Sequence, residues 1–435
     1  MAKTRRNKTK TKTKTKTKTK GGKPIFAGAQ GCIFIPPLKC KNRPRVMNDS
    51  FISKLGYKKG SDMEMREYME IIPHIKKIKN HEKYFNIRIS SCEPDTLSSA
   101  DLAGFDETCQ NFHMDDINAS NVNRNLDKLR AINMPNLGID LRVWMEKSKM
   151  DARRIRLLNV HISKLLVHAV LPMNQLGIMH NDLKSENLIM DRTETMLRIV
   201  DWGLAGVTTP YQIIPEHYFM NNPVTFNRPF STMVIQTGIA DLYQHYTADL
   251  FSEPEQLEPF VAEMYAKYQK MSSSSHLYWV YIFKHMFPES ATLILNAAIE
   301  KYNAQILHHF TRERKFMLEE YFDKVYRYNT DVWGVMSVFY SMFMLPREHF
   351  AISDSLYEAM LHKYRNLFRK IVFVNGHKRM NVHTIVQQLR EINEMFPPSR
   401  PHKKTVRFNV SARKLHRSLH RVPTPHPLKY VREII

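Results

Sequence analysis

The chain has 435 residues, 43% of them apolar and 25% charged, a globular composition that excludes wholesale disorder and is long enough to bury a large core. The formal charge of +23 is unusual, but it is not spread through the fold. Residues 1–23 carry eleven Lys/Arg and no acid, and residues 400–435 add a net nine, so the two tails hold 20 of the 23 charges.

Residues 7–20 alternate Lys and Thr and offer nothing apolar to bury, so they are expected to stay disordered. From Pro24 to Ile89 the pattern predicts short strands at Ile33–Ile35, Phe51-Ile52 and Tyr84–Ile89 around one helix, Met63–Lys79, whose apolar stripe is Met65, Met69, Ile72 and Ile75. Residues 92–125, rich in Asp, Ser and Asn, read as a long surface loop. From Asp151 onward the chain turns helical, with an apolar face of Ile155, Leu158, Ile162, Leu165, Leu166 and Val170 that should end near Pro172. Leu188–Met190 and Met196–Val200, separated by Asp191–Thr195, predict a hairpin. Helical stretches follow within 232–330, including Ala291–Phe310 and Lys315–Tyr326, and beyond Pro397 the text becomes basic and loose.

Val332–Leu345 is the longest uncharged apolar run; at fourteen residues it suits a buried core helix and no membrane span. Cys32, Cys40, Cys92 and Cys109 form neither a disulfide framework nor a zinc pattern by spacing, which leads to the expectation of a reducing compartment. The basic N-terminus is followed by no apolar segment of the kind a secretory leader needs. A soluble intracellular protein, cytoplasmic or nuclear, is therefore expected.

The chemistry concentrates around the predicted hairpin, in His180-Asn181-Asp182-Leu183-Lys184-Ser185-Glu186-Asn187 followed by Asp201-Trp202-Gly203. Phosphoryl transfer needs a carboxylate to orient and deprotonate the attacking hydroxyl, for which Asp182 is suited. It also needs hard oxygen ligands for magnesium, which Asn187 and Asp201 can supply. Lys184 can neutralise charge on the moving phosphoryl group. The hairpin would return Asp201 to the same edge as Asn187.

This octapeptide and the spaced Asp-x-Gly resemble the catalytic loop and magnesium motif of eukaryotic-type protein kinases of the serine/threonine kind. The resemblance implies an α+β, two-lobed protein-kinase-like fold: a small strand-rich N-lobe spanning 24–135, a large helical C-lobe spanning 136–399 with a helical insertion at about 232–330, and disordered basic tails at 1–23 and 400–435. It implies ATP with Mg2+, or Mn2+ in its place, and serine/threonine hydroxyls of protein substrates as acceptors. Gly28-Ala29-Gln30-Gly31-Cys32-Ile33 resembles the latter part of the family's Gly-rich loop, with Gly28, Gly31 and Ile33 at nucleotide-binding positions; Phe26 stands where the first glycine should be. Lys54 in Ile52-Ser53-Lys54-Leu55 is similar to the lysine that contacts the α- and β-phosphates. Its glutamate partner would be Glu64, Glu67 or Glu70, and Glu67 is chosen because Ile71 and Ile75 follow it on one helix face. Met134-Pro135-Asn136 falls at the hinge. His180, Gly203 and Asp331 would give structural support, with Asp331, at the head of the apolar run, bracing the catalytic loop.

Four departures matter. Asn181 replaces the arginine that usually captures a phosphorylated activation loop, which implies activity without that modification. Trp202 replaces a phenylalanine. The Ala-Pro-Glu closing the activation segment is missing, with Asn227-Arg228-Pro229-Phe230-Ser231 as the nearest stand-in. A hundred residues then separate that stand-in from Asp331, implying an insertion beside the substrate site. The insertion and the Lys-Thr tail together resemble the divergent kinases of large DNA viruses, which would add host cell or virion as locations. Two other readings compete: a pseudokinase scaffold with polyanion-binding tails, and a small-molecule phosphotransferase of the same fold. The tails, 1–23 and 400–435, are expected to contact nucleic acid or another polyanion without reading bases. Lys404–Phe408 resembles a docking peptide for type-1 protein phosphatase.

Overall fold

The computed structural model describes residues 22–28, 31–44, 48–209, 211–215, 225–235, 254–271, 273–313 and 315–397. Residues 1–21 and 398–435, and with them the polyanion and phosphatase-docking expectations, lie outside these residues, whereas Lys23, expected in the N-terminal tail, opens the first strand. The chain divides into two compact units: one holds the described residues up to Met65 with Arg88–Asn136, the other Arg66–Ile87 with everything from Leu137 on.

The first unit is built on a five-stranded antiparallel sheet in the order β1-β2-β3-β5-β4. Strands β1 (Lys23–Gly28) and β2 (Gly31–Ile35) form a hairpin in which Gly28 faces Gly31. Strand β3 (Phe51–Tyr57) runs beside β2, setting Lys54 opposite Ile33. One edge strand is β4 (Ser90–Cys92), and β5 (Leu129–Pro135) pairs with β3 along its whole length. The strand predicted at Tyr84–Ile89 does not join this sheet: Phe85 and Asn86 belong to the second unit and pair there with Ile199. Helix α1 (Lys58–Ile75) follows β3 directly.

Residues 92–125 are not a surface loop. Short helices, among them Ser99–Leu102 and Phe105–Thr108, carry Leu97, Phe105, Phe112, Ile117 and Val122 into one core with Phe34, Leu38 and Leu55 of the sheet side. Burial of these scattered apolar residues covers one face of a sheet that would otherwise be wet. All four cysteines, expected to be unpaired, are paired, one bridge tying the cap to β2 and the other tying the segment after β2 to β4. Cys32 pairs with Cys109 and Cys40 with Cys92, at Cα separations of 5.4 and 5.7 Å. The partners lie 77 and 52 residues apart in sequence and become neighbours only through the fold. The cysteines therefore lend no support to a reducing compartment.

The second unit is helical. The helix that begins at Ala152 does not stop at Pro172; it passes through a wider turn at Leu166–Val170 and ends at Gln175. The wider turn accommodates a proline that cannot donate a backbone bond. This is the one described helix long and apolar enough to cross a membrane by length and composition, and Ile155, Leu158, Ile162 and Leu165 on it are wholly buried in the unit. Helix Val382–Glu394 packs along it. The run from Val332 lies in a chain of helical turns, Arg327–Ser337, Val338–Tyr340 and Ser341–Met344, at the unit's centre. In the insertion, helices Glu258–Met271, Ser273–Met286 and Ala291–His309 pack on one another, and Trp279, Phe283 and Tyr302 reach an aromatic core around Trp333 and Phe373.

Candidate active site

In the first unit, Lys54 Nζ donates to Glu64 Oε2 at 2.8 Å, with both side chains largely buried. Glu64, one of the three glutamates the sequence offered beside Glu67 and Glu70, is therefore a partner of Lys54. The inward face of α1 runs Ser61, Glu64, Tyr68, Ile71, Ile75, a heptad-like stripe shifted by one position from the predicted one, and Met69 is 64% exposed. Across the sheet, Ile33 sits opposite Lys54 and is half-buried. Gly31 is required by a close approach, since a Cβ there would come within 2.5 Å of Leu55 O. Gly28 closes β1 on the far side of residues 29 and 30, which are not described.

In the second unit the expected hairpin forms between Leu188–Met190 and Leu197–Ile199. Its turn is pinned from outside: Glu194 accepts from Trp144 Nε1 at 2.9 Å and from Arg153 and Arg154 at 3.0 and 3.1 Å. Asn187 precedes the first strand and Asp201 follows the second. Val200 N donates to Asn187 O at 3.1 Å, closing the 13 residues between Asn187 and Asp201 into one hairpin.

Four donor contacts converge on the Asp182 carboxylate. Lys184 Nζ reaches Oδ1 at 3.0 Å and Oδ2 at 2.8 Å, Asn187 Nδ2 reaches Oδ2 at 2.9 Å, and Asn227 Nδ2 reaches Oδ1 at 2.9 Å. Asn187 Nδ2 also donates to Asp182 O at 2.7 Å, so its amide hydrogens are spent on Asp182 and its Oδ1 acts as an acceptor only. Asn187 Oδ1 and the Asp201 carboxylate are the hard oxygens such a loop can offer a small divalent cation. Among the described residues no group of three or more His, Cys, Asp or Glu side chains converges as a metal cage. Two oxygens suffice for Mg2+, which keeps waters and phosphate oxygens in the rest of its shell.

Asp331, buried in the central helix, accepts from His180 N at 2.9 Å, Asn181 N at 2.8 Å and Asn174 Nδ2 at 2.8 Å. Burial pushes its carboxyl up, opposed by His180 and by these donors. His180 is likewise buried and its pKa lowered by desolvation. It is neutral, with Nε2–H donating to Val200 O at 3.0 Å and Nδ1 accepting from Asp182 N at 3.4 Å. Trp202 packs its ring against His180, Phe85 and Tyr68. Gly203 lies in the turn closed by Ala205 N on Trp202 O. Asn174, Asn227 and Arg228 also belong to this constellation: Asn227 and Arg228 come from the stretch read only as a stand-in for the end of the activation segment, and nothing in the sequence around Asn174 marks it.

The strand-rich unit with its buried Lys–Glu pair and the helical unit with its braced loop and hairpin make an α+β, protein-kinase-like fold. No family model matches the chain. Over 37 residues it is 49% identical to casein kinase II subunit alpha' of Saccharomyces cerevisiae; the match covers 8% of this chain and spans about a tenth (11%) of that relative. The structure of the kinase PK-1 of Cydia pomonella granulovirus is similar at a TM-score of 0.28 and 15% identity, covering 48% of this chain and 60% of that one.

Proposed function

We propose that this protein is an ATP- and magnesium-dependent protein kinase that transfers the γ-phosphoryl group to serine or threonine hydroxyls. The observation that carries the reading is the Asp182 carboxylate, gripped by Lys184 and Asn187, with the Asn187 carbonyl bonded to the N–H of Val200, the residue before Asp201. Asp182 orients the acceptor hydroxyl and takes its proton as the hydroxyl oxygen bonds to the γ-phosphorus and the bond to the β-phosphate oxygen breaks, releasing ADP. All four lone-pair directions of Asp182 are filled, so Lys184 must turn to the phosphoryl group before a hydroxyl can approach. Lys54, held by Glu64, positions the nucleotide phosphates. Asn187 and Asp201 would hold Mg2+ or Mn2+, whose contribution is to neutralise charge on the phosphates.

A lysine at 184 supports hydroxyl acceptors of the serine/threonine kind. The insertion and the Lys-Thr tail support a place among the divergent kinases of large DNA viruses, with host cell or virion as locations. Asp201→Ala should lower kcat by roughly a hundredfold or more with the fold retained, measured by γ-phosphoryl transfer against Mg2+ concentration. Unchanged kcat would sink the assignment.

A further inference from the structure

Residues 225–235 are bolted to the catalytic loop and the central helix. Trp333 Nε1 donates to Phe226 O at 3.2 Å, and Thr232 Oγ1 lies 3.1 Å from Tyr326 Oη. Phe230 is buried among Trp333, Trp279 and Tyr302, with ring centroids at 4.9, 5.1 and 5.7 Å. Gly334 permits this approach: a Cβ there would come 2.6 Å from Leu183 O and 3.3 Å from Asn227 O. From that fixed base two side chains turn back. Asn227 Nδ2 donates to Asp182 Oδ1 at 2.9 Å and Leu183 O at 3.2 Å, and Arg228 Nε donates to Asn181 O at 3.0 Å. Both are almost fully buried, at 2% and 3% exposure.

Asn181 is left-handed, with φ of 64°, a conformation a non-glycine residue keeps only when its surroundings fix it. Here its N–H is held by Asp331 and its carbonyl by Arg228, from two different elements. The next residue is Asp182. We infer that Asn227 and Arg228 are positioning residues for phosphoryl transfer: Arg228 fixes the Asn181 turn that aims Asp182, and Asn227 fixes the rotation of its carboxylate through Oδ1. Once Lys184 leaves for the phosphoryl group, each Asp182 oxygen keeps one amide donor, Asn227 on Oδ1 and Asn187 on Oδ2, and one open lone-pair direction. The order that a captured phosphate would lend such a loop is supplied by two permanent side chains. This inference rests on the kinase reading.

The test is steady-state phosphoryl transfer by the full chain, comparing wild type, Asn227→Asp, Arg228→Lys and Asp182→Asn over pH. Asn227→Asp keeps the shape but places a second carboxylate against Asp182. It should lower kcat at neutral pH by about tenfold or more and move the acid limb of the pH profile upward by about one unit, with KM for ATP nearly unchanged. A merely structural residue would not move that limb. Arg228→Lys should lose kcat similarly, since a point charge does not reproduce the guanidinium's fixed geometry. If Asn227→Asp fails to fold, Asn227→Ser, which withdraws the donor without adding charge, should show the same split between kcat and KM. Transfer by wild type, none by Asp182→Asn, and an unaltered profile in the Asn227 variant would overturn the inference and leave the kinase reading standing. No transfer by wild type overturns both.

Discussion

The Lys54–Glu64 pair is largely buried, so removing the carboxylate weakens the hold on a buried charge. Glu64→Gln should therefore lower kcat/KM for ATP by roughly tenfold to a hundredfold, read from steady-state kinetics. An unchanged value would contradict a role for this pair. Acid should weaken the second unit through its histidines. His377 is held down to about 4, chiefly by burial and then by Lys378, His309 and His308, and burial also lowers His161, His180 and His276. Each is neutral when folded and takes up a proton on unfolding. Stability is therefore full above the ordinary histidine value near 6.5 and drains as pH falls toward about 4. His377→Gln should flatten that slope, measured as urea midpoints at pH 7 and pH 5; an unchanged slope would count against it. Asp182, Lys184, Asn187 and Asp201 were legible because they sit in one contiguous motif joined by a hairpin with a plain strand pattern. Glu64 could not be singled out, because three glutamates share one helix and the choice among them depends on which stripe faces inward. Met65 and Met69 suggested a stripe one residue off.

At the scale of elements, the cap formed by residues 93–128 was hidden by its composition. Its apolar residues are few, irregularly spaced, and carried on turns too short to show a period, yet Phe105 and Phe112 are wholly buried. Phe112→Ala should cost about 3–5 kcal/mol in the first unit, measured by denaturant melting, and a loss below 1 kcal/mol would show the cap to be peripheral. Thiol reduction of the oxidised protein should lower the stability of this same unit by a few kcal/mol, since the crosslinks close long loops of the unfolded chain. A melt indifferent to reductant would contradict that. Sequence spacing could not reveal these pairs, because only the packing of the short helices on the sheet brings Cys109 to Cys32. The continuation of the long helix through Pro172 was equally illegible: a proline reads as a stop unless the turn before it widens.

The whole molecule joins a nearly neutral body to two strongly basic tails. If the tails carry the polyanion contact, a chain lacking 1–23 and 400–435 should lose most of its affinity for a nucleic-acid duplex and most of its salt dependence, read by titration at two ionic strengths. Undiminished, salt-sensitive binding by the trimmed chain would move that contact to the body. The activity proposed for the body is phosphoryl transfer, and the deciding experiment incubates the full chain with γ-labelled ATP, Mg2+ and a generic basic protein acceptor, beside Asp182→Asn. Wild type should yield labelled phosphoserine or phosphothreonine and the variant none. No transfer by a wild type that ATP still protects against melting, or equal transfer by both, would contradict it.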